Sequence, residues 1–327
     1  MADLALAEAV LDSASVADPS EPHLVLWNTA RFYDLRPGAL DTRVRVDHHD
    51  EQGRLVGSFV GGHDDDGVVS GYSAPFGGID VVKPNETVAN VERLVAHALD
   101  ALPPDRAVEV RAKPPHYGAN EAVLEFALLN RGFAVTGCEL NFHLDLASVD
   151  TVDGYVAGLK PAARKMLRRS EALGLDVHQV AQDDDPRWAE AYEVLRRNRV
   201  DRGRPMRLPL EYVRAIRDAF PGRVRLIVAS SDGAVCAAAL VYRIAPGRDL
   251  VQYWGDAGHA LAVSPMNVLV RAVVEHALAA GAATIDIGIS SEDGVPNHGL
   301  VQFKRSVGCR IEPRLTLVRR SEGGVRP

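Results

Sequence analysis

Lysine is scarce in this chain. Of 37 basic residues in 327, only Lys83, Lys113, Lys160, Lys165 and Lys304 are lysines, and the rest are arginines. Each lysine is therefore worth inspecting on its own. Cysteine is scarcer still. Cys138, Cys236 and Cys309 lie far apart, with no CxxC or Cys/His spacing, which excludes a disulfide scaffold and a cysteine metal site. They are expected to be buried small residues in a reducing compartment. No run approaches the ~18 consecutive apolar residues of a membrane span. Positive charge is in deficit too. The formal net charge of −7 excludes a protein-wide field that attracts nucleic acid. Residues 1–19 lack a basic n-region and carry Asp3, Glu8 and Asp12, so a secretory leader is not expected and a cytoplasmic location is.

What is present is an ordinary globular composition, 46% hydrophobic and 25% charged, long enough for one large domain or two smaller ones. Residues 1–18 read as a helix or a loose arm. Residues 42–48 and 54–60 form a hairpin pattern around 50-DEQG-53, and a short strand at 67–72 follows the polar tip 61-GGHDDDG-67. That tip, with His48, His49 and His63 nearby, reads as a turn between strands, so no metal is expected. An amphipathic helix is predicted near 84–102, with Val88, Val91, Leu94, Val95, Ala98 and Leu99 on one face and Asn85 or Thr87 as its cap. A strand at 107–112, a helix near 119–130 and a strand within 133–146 complete the first half.

The second half repeats that order. A basic helix at 152–173 precedes a strand at 175–180, and helices at 186–203 and 209–219 follow. Strands are predicted at 224–230, 234–244 and 248–254, with Ser231-Asp232-Gly233 as a tight turn. A helix at 264–280 opens on Ser264-Pro265. A strand at 283–288, a short helix around Phe303 and a strand at 310–318 end the chain. Two successive α+β units with one element order are a repeat at the level of fold.

Four features of the last third carry a resemblance: the strand end 252-QYWGD-256, the helix start 264-SPMNVL-269, the strand 285-IDIG-288 and the segment 303-FKRSVG-308. With the basic helix 164-RKMLRRSEALGLDV-177 and the turn 70-SGYSAPFGGID-80, they resemble the FemABX-like branch of the GNAT acyltransferase superfamily. The resemblance implies an α/β (α+β) chain of two tandem GNAT-like domains, each a mixed central sheet flanked by helices. Residues 1–145 would be a degenerate acceptor-side domain and residues 146–327 a catalytic donor-side domain. It also implies amide formation, in which an activated acyl group, from aminoacyl-tRNA in the best-known members, passes to an amine of a small or peptidyl acceptor. The long helical arm of some members is missing. Gly78 stands where peptidoglycan-building members carry an acid, and the nearest acid is Asp80.

On that resemblance Lys304 and Phe303 are the catalytic candidates, contacting the tRNA 3′ end, and Asp286 is expected to reach the cleft from its strand. Arg164, Lys165, Arg168 and Arg169 are donor-side candidates because they stack like charges along one helix, an arrangement an anionic partner would offset. Tyr253, Trp254, Ser264 and Asn267 join them. Tyr72, Phe76, Gly77, Gly78 and Asp80 are the acceptor-side candidates. A second basic run holds Arg196, Arg197, Arg199, Arg202, Arg204 and Arg207, with nearby acids available to pair it. The helix start at 264 has a proline where a phosphate cradle needs N–H donors. No resident cofactor is therefore expected, and the donor is a substrate. Three readings stay open: an aminoacyl-tRNA-dependent transferase, an acyl-CoA-dependent N-acyltransferase, and an inactive RNA- or peptide-binding remnant.

Overall fold

The computed structural model describes residues 21–35, 42–65, 67–71, 74–181, 186–258 and 263–321. The expected arm at 1–18 and Tyr72 lie outside them. The chain divides into two compact units. The first holds, among the described residues, 21–141, 289–297 and 311–321, and the second holds 142–288 and 298–310. The expected split at residue 145 had not anticipated that two C-terminal segments group with the first unit.

In the first unit a 3-10 turn at Leu26–Asn28 and helix α1 (Ala30–Asp34) lead to β1 (Arg43–His49), β2 (Leu55–His63) and β3 (Gly67–Ser70). Then come β4 (Ile79–Val81), α2 (Val88–Asp100), β5 (Ala107–Arg111), α3 (Glu121–Leu129) and β6 (Ala134–Asp145). β1, β2 and β3 pair antiparallel in turn, β4 adds to β2, and β5 pairs parallel to β3 through the α2 crossover. Asp64 closes the polar hairpin tip by accepting the Gly67 amide at 2.8 Å. Thr87 caps α2 through the Asn90 amide at 3.2 Å. The face of α2 buries Val91, Leu94, Val95, Ala98 and Leu99 against Phe59, Val108 and Val110. Val88, expected on that face, is half exposed because it is the first residue of the helix.

In the second unit the predicted helix at 152–173 is two helices, α4 (Val152–Gly158) and α5 (Pro161–Glu171). Pro161 has no amide to continue α4, and it holds Lys160 extended. β7 (Asp176–Gln179), α6 (Arg187–Val200) and α7 (Leu210–Ala219) follow. β8 (Val224–Ser231), β9 (Ala234–Ala245) and β10 (Arg248–Asp256) make an antiparallel meander with β7. Asp232 and Gly233, both at positive φ, form the two-residue hairpin turn between β8 and β9. Helix α8 (Met266–Ala279) crosses over to β11 (Thr284–Ile289), which pairs parallel to β10. After the short hairpin β12 (Ser291–Glu292) and β13 (Val295–Pro296), α9 (His298–Ser306) and β14 (Arg310–Arg319) end the described chain. From Ile311 onward β14 groups with the first unit, where it pairs antiparallel with β5.

Below β10, Asp249 is 1% exposed and takes ion pairs from Arg225 on β8 and Arg243 on β9. The same two guanidiniums donate to His276 O in the last turn of α8 and to Ala280 O just past it. The triad therefore ties three strands to the helix. Cys236 and Cys309 are buried as expected, whereas Cys138 is exposed on β6. No described helix is long and apolar enough to cross a membrane.

Candidate functional site

The parallel pair β10 and β11 is joined at only three positions, Arg248 with Thr284, Asp249 with Ile285 and Leu250 with Asp286. Both strands then continue without pairing to each other. The register of β10 on β9 slips between Val251 and Tyr253, which leaves Gln252 as an extra residue. Such a bulge bends its strand, so β10 turns away from β11 at their carboxyl ends. That end of a parallel pair is where α/β folds place ligands.

Half-buried aromatic rings border this opening. Trp254 meets Phe303 of α9 edge to face at 5.8 Å between centroids, and the Arg199 guanidinium lies 4.8 Å above the Tyr253 ring. Asn198 on α6 pins the strand end. Its side-chain amide donates to Asp256 O at 2.8 Å, and a Cβ on Gly255 would come within 2.6 Å of it. Lys304 is 1% exposed. Its ammonium donates to Ile287 O at 2.9 Å and Gly288 O at 2.8 Å, and it lies 5.1 Å from the Phe142 ring centroid. It is thus engaged with the protein and not displayed to solvent. Asp286, expected to reach the cleft, is buried and accepts the Gly288 amide at 2.7 Å. Gly288 turns at φ 72°, a conformation open to glycine.

The entry to α8 is the place a GNAT fold uses for a diphosphate. Here three of its amides, those of Met266, Val268 and Leu269, already have partners. Ser264 Oγ accepts the Met266 amide at 3.3 Å, and Ser170 Oγ of α5 accepts the Val268 amide at 3.4 Å. The Leu269 amide returns to Pro265 O at 3.1 Å. Pro265 has no amide to give. Asp256 places a carboxylate beside them, accepting from Gly258 N at 3.2 Å and from Ser264 Oγ at 3.2 Å. Asn267 is half-buried in the first turn of α8.

Ser170 also donates to Ser264 O at 3.1 Å, which sets the last turn of α5 against this entry. Lys165, Arg168 and Arg169 are exposed on α5 and have no ion pair among the described residues. Arg164 is different, since it folds back to donate to Ala157 O at 2.8 Å and Leu159 O at 2.7 Å and so caps α4. The second basic run is paired within the protein in part. Arg196 and Arg197 both bind Glu193, whose carboxyl their hydrogen bonds pull down to about 2.

The acceptor-side candidates of the first unit are core residues. Phe76 is fully buried between Trp27 and Tyr117, each with its ring centroid 4.8 Å away. A Cβ on Gly77 would lie 2.0 Å from Gly71 N. The Gly78 amide donates to Ser70 Oγ at 2.6 Å. Asp80 is 2% exposed and accepts from Asn28 Nδ2 at 2.7 Å, Val25 N at 3.2 Å and Lys113 Nζ at 2.8 Å. Direct contact of Phe76, Gly77 or Asp80 with an acceptor is therefore excluded by burial. Lys113 also pairs with Glu121 at 3.3 Å, and burial pushes the Glu121 carboxyl up to about 7. The scarcity of lysine pointed at Lys113, but no spacing linked it to Asp80 and Glu121. Asn198, Ser170 and Asp256 were missed for the same reason: their partners lie 58, 98 and 8 residues away.

The profile of a family described as acetyltransferase (GNAT) domain matches residues 160–305. No curated protein matches. Among solved structures, FemX is 14% identical and covers 94% of each chain with a TM-score of 0.69. A domain from Agrobacterium fabrum, described as the C-terminal part (DUF2156) of a lysylphosphatidylglycerol synthetase, is 15% identical. It covers 84% of this chain and 83% of its own, with a TM-score of 0.55. L-PGS from Bacillus licheniformis is 12% identical, covering 86% and 85%, with a TM-score of 0.53. At these identities the likeness is one of fold. Residues 160–305 thus match a GNAT domain, in a chain whose fold is similar to that of FemX.

Proposed function

We propose that the protein is an amide-forming aminoacyltransferase, which takes its acyl group from aminoacyl-tRNA and passes it to an amine of a small or peptidyl acceptor. The observation that carries this reading is the α8 entry. Three amides there, of Met266, Val268 and Leu269, are held by Ser264, Ser170 and Pro265 O, and the Asp256 carboxylate lies alongside. A coenzyme A diphosphate would have to displace those oxygens and sit against a like charge.

A donor ester is already activated, so the protein has little covalent work to do. The amine nitrogen attacks the ester carbonyl, the C–N bond forms, and the C–O bond to the ribose breaks. The amine proton ends on the departing ribose oxygen. The site's task is to hold the two reactants together and keep water out. The half-buried Trp254, Tyr253 and Phe303 offer flat surfaces for a terminal base or ribose. The exposed Lys165, Arg168 and Arg169, next to the α8 entry through Ser170, offer local positive charge for its phosphates. Such a local patch is compatible with a chain whose total charge is −7.

The rival reading is an acyl-CoA-dependent N-acyltransferase, which the description of the matching family favours. Thermal shift separates the two. Aminoacylated bulk tRNA is expected to raise the unfolding temperature in a salt-dependent manner, and acetyl-CoA to leave it unchanged. Stabilisation by acetyl-CoA alone would overturn the proposal.

A further inference from the structure

Two histidines of the first unit meet across its fold. His48 lies near the end of β1, the edge strand that begins the sheet, and His97 lies in the last turn of α2, which packs on β1. Their Nδ1 atoms are 3.1 Å apart. The ring centroids are 5.3 Å apart, with the planes inclined at 68°. Proximity in sequence groups His48 with His49 and His63 instead. His63 is at the opposite end of the β1–β2 ladder, where Gly62 pairs with Arg43. His97 is 49 residues away, so no spacing announces it. His48 is half-buried and His97 exposed, and a strand and a helix fix their backbones. Among the described residues neither ring has another hydrogen-bond partner.

We propose that His48 and His97 form a two-histidine site for a divalent transition-metal ion of the zinc, nickel and copper class. Imidazole nitrogens bind such ions at about 2.0–2.1 Å, so two on one ion lie about 2.9–3.4 Å apart, from a right-angled to a tetrahedral arrangement. The 3.1 Å separation falls inside that range. Without an ion, one ring donates its Nδ1 proton to the other, and a hydrogen bond at the surface gains little over water. With an ion, the donating ring carries its proton on Nε2, each ring turns slightly, and both Nδ1 lone pairs bind the metal. No third histidine, cysteine or carboxylate among the described residues completes the set, so water fills the other positions and the affinity is micromolar. The ion ties the edge strand to the crossover helix. The proposal is independent of the donor and acceptor of the reaction.

Zinc chloride titrated calorimetrically into the untagged full chain tests the proposal. The wild type is expected to bind an ion with micromolar affinity that depends on both side chains. His97→Ala, an exposed change to a good helix former, is expected to weaken that binding by about tenfold or more. His48→Ala is expected to do the same, and His49→Ala to bind like the wild type. The ring signals of His48 and His97, assigned in NMR spectra through the two variants, are expected to shift together as zinc is added. Zinc is also expected to raise the unfolding temperature of the wild type more than that of His97→Ala, because the joined site exists only in the folded chain. An isotherm that His97→Ala leaves unchanged would overturn the proposal, as would ring signals of His48 and His97 that ignore zinc. Should His48→Ala not fold, His97→Ala decides alone.

Discussion

The strand–helix–strand elements β3-α2-β5 and β10-α8-β11 have one topology and opposite outcomes. In the first, parallel pairing runs four positions and a glycine backbone seals what lies beyond. In the second, pairing stops after three, a bulge at Gln252 bends one strand, and side chains hold the two ends. The difference teaches that a GNAT-like unit is opened or closed by a few residues at the carboxyl ends of its parallel strands, with the crossover unchanged. The buried charges differ too. The closed unit buries two carboxylates around Lys113, and the open unit buries two guanidiniums around Asp249.

The largest effect is expected at the seal. Gly77→Ala places a methyl group 2.0 Å from the Gly71 backbone, where nothing can yield. It is expected to destabilise the protein by about 3–5 kcal/mol. The matching change in the open unit, Gly255→Ala, meets the Asn198 side chain, which can turn aside, and is expected to cost about 1–2 kcal/mol. Denaturant unfolding of both variants checks this, and equal losses would remove the distinction between backbone and side-chain closure.

Asp249→Asn is expected to cost about 3 kcal/mol, because Arg225 and Arg243 keep their buried charges without a counter-ion. Its reversed counterpart, Glu121→Gln, is expected to stabilise, and only at the higher pH. The folded Glu121 carboxyl titrates near 7 and an ordinary glutamic acid near 4.5, so between those values the folded state holds a proton the unfolded state has released. Stability from this group is full below about pH 4.5 and is lost as pH rises through 7. Glu121→Gln therefore gains on the order of 1–3 kcal/mol over the wild type at pH 8 and nothing below pH 4.5. Unfolding curves at both pH values test the sign. The smallest change in stability, within about 0.5 kcal/mol, belongs to the triple variant of Lys165, Arg168 and Arg169 to Ala, since all three are exposed. The logarithmic salt dependence of its tRNA binding should nevertheless fall by about 2–3.

Much of the fold was legible. Alternation marked the strands, helical periodicity marked α2 and α8, and Asp232-Gly233 marked its hairpin. Pro161 was visible and should have split the basic helix, because a residue before proline leaves the helical region. The site was legible in part. Trp254 and Phe303 do meet edge to face, and α5 does display Lys165, Arg168 and Arg169, while Lys304 is buried. Phe76, Gly77 and Asp80 were misjudged because a glycine-rich turn has one pattern whether it faces a ligand or a neighbouring backbone. Only the 2.0 Å approach of Gly77 to Gly71 distinguishes the two. Polar partners distant in sequence, such as Ser170 with Val268, left no signal in spacing.

Product formation tests the central claim most directly. The protein is incubated with a panel of amines and, separately, with aminoacylated bulk tRNA or acetyl-CoA, and new amides are sought by mass spectrometry. The account predicts an aminoacyl amide from the charged tRNA and no acetyl amide from acetyl-CoA. An acetyl amide from acetyl-CoA, with the charged tRNA left intact, would contradict it.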